Sequence, residues 1–563
     1  MAYFLKVSHT KKGDYLQIYE SYRNKEKKTS CHRAIKPIGY VSDLIAKGIA
    51  DPIPYYKNEV AKINAKMKKL KDEEKIKKID DSPIKNIGYF LVTSMMKSLG
   101  IQGHFDLLDK IEGENISTYD YLLNMISARI ICPSSKLHTY EEILPSLYNN
   151  FKISKDQIYS KLGFIGTQYE RILEIFNEAF NQKFKRKTNK VYFDCTNYYF
   201  EIDHENGMKQ KGPSKENRKE PIIGMGLLLD EDQIPLTMKL YPGNGSEKPI
   251  IRQCINEMKN RYKMTGKTIQ VADKGLNCAK NIVEALENGD GYIYSQSVKK
   301  LESKEQVWVL LDNDYINVED ENGEILYKYK YCIDDFTYKI DGKKIVIKQI
   351  RVATFNRKLA AKQLAEIDKQ VDKALKLSKY ANKKSQYGDS AKYVTFTAVN
   401  KNGVIDDESE VEATLNLEKI NKDKRLAGYN LIISSELNMK PQEIYNVYHR
   451  LWRIEETFRI LKSQLNTRPV YVRKEENIYG HMLICYLSVF ILRTLQIKKF
   501  KDEIHTHQII DFIRNFNVIK EKDKAVNISS MSKVLSINSY LNLNLDNYYL
   551  SKKDIENMFK MKL

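Results

Sequence analysis

The stretch VYFDCTNYYFEI, Val191 to Ile202, sets an acid inside a run of β-branched and aromatic residues. Such a run reads as a strand, and aspartate is depleted from strand interiors. Asp194 therefore either bonds backbone groups at a strand irregularity or serves a site that needs negative charge. The next hundred residues give the strand a context. GMGLLL and PLTMKLY are two more strands, joined by the polar turn DEDQ and expected to be antiparallel. EKPIIRQCINEMKNRY reads as a helix, TIQVAD as a strand ending at Asp273, NCAKNIVEAL as a helix and GYIYSQ as a fifth strand. Three strands, then helix, strand, helix and strand is the order of an α/β fold with a ribonuclease-H-like mixed five-stranded sheet. In that order the first and fourth strands are neighbours, so Asp194 and Asp273 are expected side by side.

A third acid comes from YHRLWRIEETFRILK, Tyr448 to Lys462. Val447, Leu451, Ile454, Phe458, Leu461 and Leu465 recur at alternating spacings of four and three, the core face of an amphipathic helix. Tyr448, Trp452, Glu455, Arg459 and Lys462 form a second stripe beside it. Trp452 is expected against the edge of the core. Glu455 and Arg459 are four apart, where an exposed ion pair is worth about 0.2–0.5 kcal/mol. Asp273, in VADKG, also reads as a plain turn residue, with Gly275 taking positive φ. The conjunction outweighs the separate readings, because three acids occupy three places that this strand order brings together. Carboxylates so placed repel one another unless cations neutralise them. Two Mg²⁺ ions about 3.5–4 Å apart would do so and would perform phosphodiester chemistry, with Mn²⁺ as a substitute.

The remaining composition sets limits. The 563 residues carry 93 Lys and Arg against 73 Asp and Glu, a net charge of +20 that favours a polyanionic partner, most often nucleic acid. No small-molecule substrate is implied. The longest apolar run, Met482 to Leu492, is too short to span a bilayer, and the amino terminus lacks the apolar core of a signal peptide. The seven cysteines form no CxxC pair, which implies neither disulfide framework nor zinc site, and a reducing cytoplasm.

The patterning divides the chain into five regions. Residues 1–55 read as an N-terminal β-hairpin, YLQIYESYR and CHRAIKPIGY about the turn NKEKKTS. Residues 56–187 are helical, opening on a lysine-rich connector, with a capping box at Ser117-x-x-Asp120. A DNA-end-binding role is expected there. The α/β catalytic domain occupies 188–296 and 428–495. It is interrupted at 297–427 by a β-rich insertion domain with hairpin signals at Asn322-Gly323, Asp341-Gly342 and Asn402-Gly403 and a charged helix at about 357–380. The C-terminal region, 496–563, reads as helical.

FDCT around Asp194, PGNGSE at Pro242–Glu247, VADKG around Asp273 and YHRLWRIEETFRILK together resemble the DDE transposases of bacterial insertion sequences. The resemblance is to the branch whose last motif is Tyr, Arg, Glu, Lys and whose glutamate follows a β-rich insertion. It covers about Val191 to Leu495. Tyr448, Glu455 and Lys462 fit the motif's spacing, but its arginine position holds Leu451. The resemblance implies Mg²⁺-dependent cleavage of terminal inverted repeats, joining of the ends to target DNA, a homodimer on DNA and a bacterial cytoplasm. Asp194, Asp273 and Glu455 would be the catalytic metal ligands. Tyr448 and Lys462 would hold end phosphates, Arg459 would replace the missing arginine, and Trp308 would stack on a displaced base. The alternatives are a stand-alone nuclease of the same fold and an inactive transposase-derived DNA-binding regulator.

Overall fold

The computed structural model describes residues 2–23, 30–76, 84–379, 381, 383–398, 411–521, 524–541 and 543–563. By contact the chain divides into two units, Met1–Ile84 and Lys85–Leu563. The first unit is a three-stranded antiparallel sheet, Ala2–Thr10, Gly13–Arg23 and Ser30–Tyr40, followed by helices Val41–Ala46 and Pro52–Ile76. The expected hairpin thus gains a strand, because Ala2–Thr10 pairs in unbroken register from Ala2↔Ser21 to Thr10↔Gly13. Its lysines and polar residues hid it, since an exposed strand need not alternate. The lysine-rich helix docks on that strand through Asn64, whose side chain bonds both the N–H and the carbonyl of Tyr3 at 2.9 and 2.7 Å. Most of the turn NKEKKTS lies outside the described residues.

In the second unit, nine strands make one sheet. In chain order they are β1 (Lys190–Tyr199), β2 (Ile222–Leu229), β3 (Pro235–Pro242), β4 (Ile269–Ala272), β5 (Gly291–Gln296), β6 (Ile316–Glu319), β7 (Ile325–Ile340), β8 (Lys343–Phe355) and β9 (Tyr429–Ser434). Their spatial order is β6-β7-β8-β9-β5-β4-β1-β2-β3. β1, β4 and β5 are parallel, with Phe193 beside Ala272 and Ala272 beside Tyr294. The others pair antiparallel. The parallel strands are buried on both faces, which is why they read as near-continuous apolar runs.

The five expected strands are present, but the sheet does not stop at five. β9 pairs along β5, and the long β7–β8 hairpin continues beyond it. The strands of the expected separate insertion therefore extend the central sheet. β9, which follows the insertion, covers a β5 edge whose backbone groups would otherwise lie unpaired. The Asp341-Gly342 signal holds, with both residues at positive φ (48° and 82°) as a tight primed turn requires. Asn402-Gly403 lies outside the described residues. Beyond β8, helix Arg357–Leu377 packs with strands Val394–Ala398 and Val411–Leu415 around small cores that include Ala374, Tyr387 and Val394.

Helices make up most of the remaining regular structure among the described residues. Ser117 caps helix Thr118–Ile131 by accepting from the Asp120 N–H at 3.1 Å, though the reciprocal half of a capping box is not formed. Five helices matter to the sheet: α1 (Ile250–Asn260), α2 (Ala279–Glu287), α3 (Pro441–His449), α4 (Trp452–Arg459) and α5 (Glu475–Thr494). With its π-helical extension to Lys499, α5 is, among the described residues, the helix long and apolar enough to cross a membrane, and 94% of its apolar window is buried inside the protein. The run length read from sequence understated it; its apolar surface is spent on the core. Neighbouring helix Lys155–Thr167 approaches so closely that a Cβ on Gly166 would lie 1.7 Å from the Glu476 carbonyl oxygen, and one on Gly480 would lie 2.1 Å from that of Leu162. The C-terminal region is not wholly helical: Asn517–Lys520, Lys524–Asn527 and Tyr549–Ser551 pair antiparallel between its helices. Those strands are three or four residues long, below what periodicity can detect.

Candidate active site

The middle of β1, where its pairing with β4 stops, and the carboxyl end of β4 build the site. The parallel register runs to Phe193↔Ala272, so Asp194 and Asp273 are the next residues along two hydrogen-bonded strands. Ser295, at the same level on β5, donates to Asp273 Oδ1 at 2.9 Å. Tyr448, near the end of α3, donates to the same oxygen at 3.2 Å. Asp273 is thus held from two sides rather than serving as a free turn residue, and Gly275 does not take positive φ.

The helix carrying Glu455 is not one straight rod. α3 ends at His449, Arg450 and Leu451 form a turn, α4 runs from Trp452 to Arg459, and Ile460–Gln464 is a π-helical turn. The apolar stripe survives the kink: Val447, Leu451, Ile454, Phe458, Leu461 and Leu465 are all buried. The second stripe splits. Tyr448 and Lys462 turn toward the sheet, whereas Trp452 is 51% exposed, stacked under the Arg453 guanidinium and not wedged against the core. Leu451 is buried where the related motif has arginine. Leu451→Arg should therefore lower thermal stability by several kcal/mol, about 3–5 for an unpaired buried charge, and restore no DNA contact. Thermal melts check the first outcome and duplex binding the second.

Two consecutive glutamates have opposite fates. Glu456 accepts from Arg493 at 2.7 Å and from Arg453 at 3.3 Å, and Arg493 is fully buried. Glu455 is exposed and makes no ion pair among the described residues; in particular, none joins it to Arg459. Glu455 lies close enough to Tyr448 to add to the rise in that phenol's pKa, which burial and Asp273 dominate.

The electrostatics follow from this crowding. Burial pushes the Asp194 carboxyl up to about 6, partly opposed by Lys215 and the Cys195 N–H, and Asp273 adds repulsion. That value lies above the roughly 3.9 of an unfolded aspartate, so the native state holds the extra proton. The contribution of Asp194 to the stability of the metal-free chain is then lost as pH rises from about 4 to about 6, opposite in sign to that of paired acids such as Glu456, whose carboxyls are held below their usual range. A cation at Asp194 must displace the proton. Were Asp194 a metal ligand, as proposed below, Mn²⁺ affinity should rise with pH, by at most about tenfold per unit, until it levels above the Asp194 value. Mn²⁺ titrations across that range check this, and a flat profile would count against Asp194 as a ligand.

Burial also lowers Lys462 to about 8, with repulsion from Lys215 working in the same direction and Asp194 opposing both. Its ammonium bonds Glu216 at 3.0 Å. Arg468, just past the π-turn, pairs with the same Glu216 oxygen. Lys215 lies 3.7 Å from both Asp194 Oδ1 and Glu247 Oε1 and donates to the Cys195 carbonyl. Sequence reading missed Lys215, Glu216 and Arg468. The first two lie in a charged loop, 203–221, without periodicity, and Arg468 follows the last helical turn. The clue was PGNGSE. Gly243 admits no side chain because Gln210 and Ile222 carbonyl oxygens would each lie 2.3 Å from its Cβ, so the motif clamps the base of that loop. Glu247 supplies the motif's acid.

Among the described residues no group of three or more His, Cys, Asp or Glu is close enough to hold a metal ion. The donor set nonetheless fits a hard cation in part. Asp194 and Asp273 are adjacent oxygen donors, and the ammonium of Lys215 already sits beside Asp194. Arg459 is exposed, with no ion pair among the described residues. Trp308 stands on helix Ser303–Leu310, partly buried against the core, with Lys330 and Arg351 5.2 and 5.4 Å from its ring.

A family model described as a transposase DDE domain matches residues 199–491, just over half of the chain. The match opens within β1, just after Asp194, and contains Asp273 and Glu455. No curated protein matches. Among solved structures, a cryo-EM structure of the piggyBac transposase synaptic complex with hairpin DNA is similar with a TM-score of 0.36 and 10% identity, covering 86% of each chain.

Proposed function

Because the chain belongs to the transposase DDE-domain family, we propose that it binds the terminal inverted repeats of a mobile element, cleaves the DNA at those ends and joins them to target DNA. The observation that carries this reading is the pairing of Asp194 and Asp273 on neighbouring parallel strands, with Tyr448 of the glutamate-bearing segment bonded to Asp273. The β3-β2-β1-β4-β5 order supports a ribonuclease-H-like catalytic core. Asp194, Asp273 and Glu455 would hold two Mg²⁺ or Mn²⁺ ions. Such ions activate water or a 3′-hydroxyl and stabilise the leaving oxygen.

The chain's own residues have separable tasks. Ser295 and Tyr448 fix the Asp273 carboxylate, so that less order is lost when a ligand binds. Glu456 anchors α4 to α5 through Arg493 and leaves Glu455 unpaired at the surface. Lys462, Arg459 and the phenol of Tyr448 line the approach of a DNA backbone, where contacts position the duplex without reading sequence. A protein dimer holding two ends completes the proposal.

The test is a purified-protein assay with Mg²⁺ on labelled duplexes that carry the sequences flanking the open reading frame. Cleavage at the ends with joined products is expected. Cleavage without joining would favour a nuclease, and binding without cleavage an inactive regulator. Binding of the same duplexes should weaken linearly in log salt, with slope about −0.9 per phosphate contacted. Lys462→Ala should reduce that slope by about one unit across sequences. Arg459→Ala in a Glu455→Gln background should do likewise, and an unchanged slope removes that residue from the interface.

A further inference from the structure

The loop between β1 and β2 places two oppositely charged neighbours, Lys215 and Glu216, at two different parts of the site. The Lys215 ammonium stands 3.7 Å from Asp194 and 3.7 Å from Glu247, and it donates to the carbonyl next to Asp194. Glu216 offers one carboxylate oxygen to both Lys462 and Arg468. A cation thus sits among carboxylates, and an anion sits between two basic side chains. Those are the charges that a divalent ion and a DNA phosphate would bring.

The backbone makes the pair possible. A turn at Ser214–Asn217, closed by the Asn217 N–H on the Ser214 carbonyl at 3.2 Å, sends successive side chains in different directions. Asn197 of β1 ties the turn down by donating to the Pro213 carbonyl at 3.2 Å. The Lys215 side chain is not locked in. Lys215 is 41% exposed, so its pairing with carboxylates contributes little and is readily exchanged.

We propose that Lys215 and Glu216 form an internal stand-in for the substrate: the ammonium fills the place of a divalent cation at Asp194, and the carboxylate fills the place of a backbone phosphate at Lys462 and Arg468. Metal and DNA bind by displacing them, and Arg468 is thereby assigned as a phosphate-binding residue. The free chain keeps its acids and bases neutralised, and its affinity for either ligand alone is set low. This inference rests on the reading of Asp194 as a metal ligand and of Lys462 as a phosphate contact.

Two variants test it, read by binding rather than by cleavage. Lys215→Met should bind Mn²⁺ about tenfold more tightly than the wild type, in a titration without DNA, because one competing charge is gone. Glu216→Gln should bind a 20-base-pair duplex of arbitrary sequence in EDTA about tenfold more tightly, with a salt slope steeper by about one to two units. Glu220→Gln on the same loop removes equal charge away from the site and controls for general repulsion. Unchanged or weaker Mn²⁺ binding by Lys215→Met, while the wild type binds Mn²⁺ through Asp194, overturns the cation half. A Glu216→Gln gain no larger than that of Glu220→Gln overturns the phosphate half. If Asp194→Asn leaves Mn²⁺ binding of the wild type unchanged, the acids are not the metal site, and the function proposed above fails together with the inference.

Discussion

Asp194→Asn, Asp273→Asn and Glu455→Gln should each lower the proposed metal-dependent DNA cleavage by about a thousandfold or more, the loss expected when several kcal/mol of charge stabilisation are removed. The loss should not come from unfolding. Asp194 sits where burial disfavours its charge, so the neutral amide should leave the metal-free protein at least as stable as the wild type near pH 7. Glu455 is exposed and unpaired among the described residues, so Glu455→Gln should leave the melting temperature unchanged. Asp273→Asn keeps a side chain that can accept from Ser295 and Tyr448. Cleavage rates and thermal melts measured on the same preparations give the answer. Robust cleavage by any one variant removes that residue from the site, and loss of cleavage with loss of the fold would leave that residue a structural role instead.

The second large effect belongs to the neighbouring glutamate. Glu456→Ala should cost about 3–5 kcal/mol of stability, because it strands the fully buried Arg493 guanidinium without its carboxylate. Glu455→Ala, one residue away, should change stability by less than about 0.5 kcal/mol, as expected at an exposed position. Replacing both partners, Glu456→Leu with Arg493→Met, should recover much of the loss, since a packed apolar pair avoids the desolvation of buried charges. Denaturant unfolding of the four proteins measures this. Equal losses for Glu455→Ala and Glu456→Ala would contradict the division of labour between them.

Local physical chemistry reached far into this protein. Alternation, apolar runs and turn residues were enough to place β1 to β5 in order, and the three-and-four spacing after Val447 marked the buried face of the segment that carries Glu455. An acid inside a strand and another at a strand end pointed to one edge of the strand order, and the parallel register does set them side by side. The sequence also bore the hairpin turn at Asp341-Gly342, whose two positive-φ positions depend only on the residues themselves.

Other features belonged to the tertiary structure, because they depend on which distant groups meet. Backbone hydrogen bonding is the same for every strand, so nothing in YNLIIS says that it pairs with Gly291–Gln296 rather than heading a separate sheet. Nothing in two consecutive glutamates says which one a buried arginine thirty-seven positions later will claim. Trp452 belongs by spacing to the stripe of Tyr448 and Lys462, but the turn at Arg450–Leu451 rotates it into solvent. Lys215 and Glu216 carry no local pattern; they meet Asp194 on one side and Lys462 and Arg468 on the other only because the loop after β1 folds back. Periodicity reports which face of an element is buried, whereas charge pairing across two hundred residues of chain is decided by packing alone.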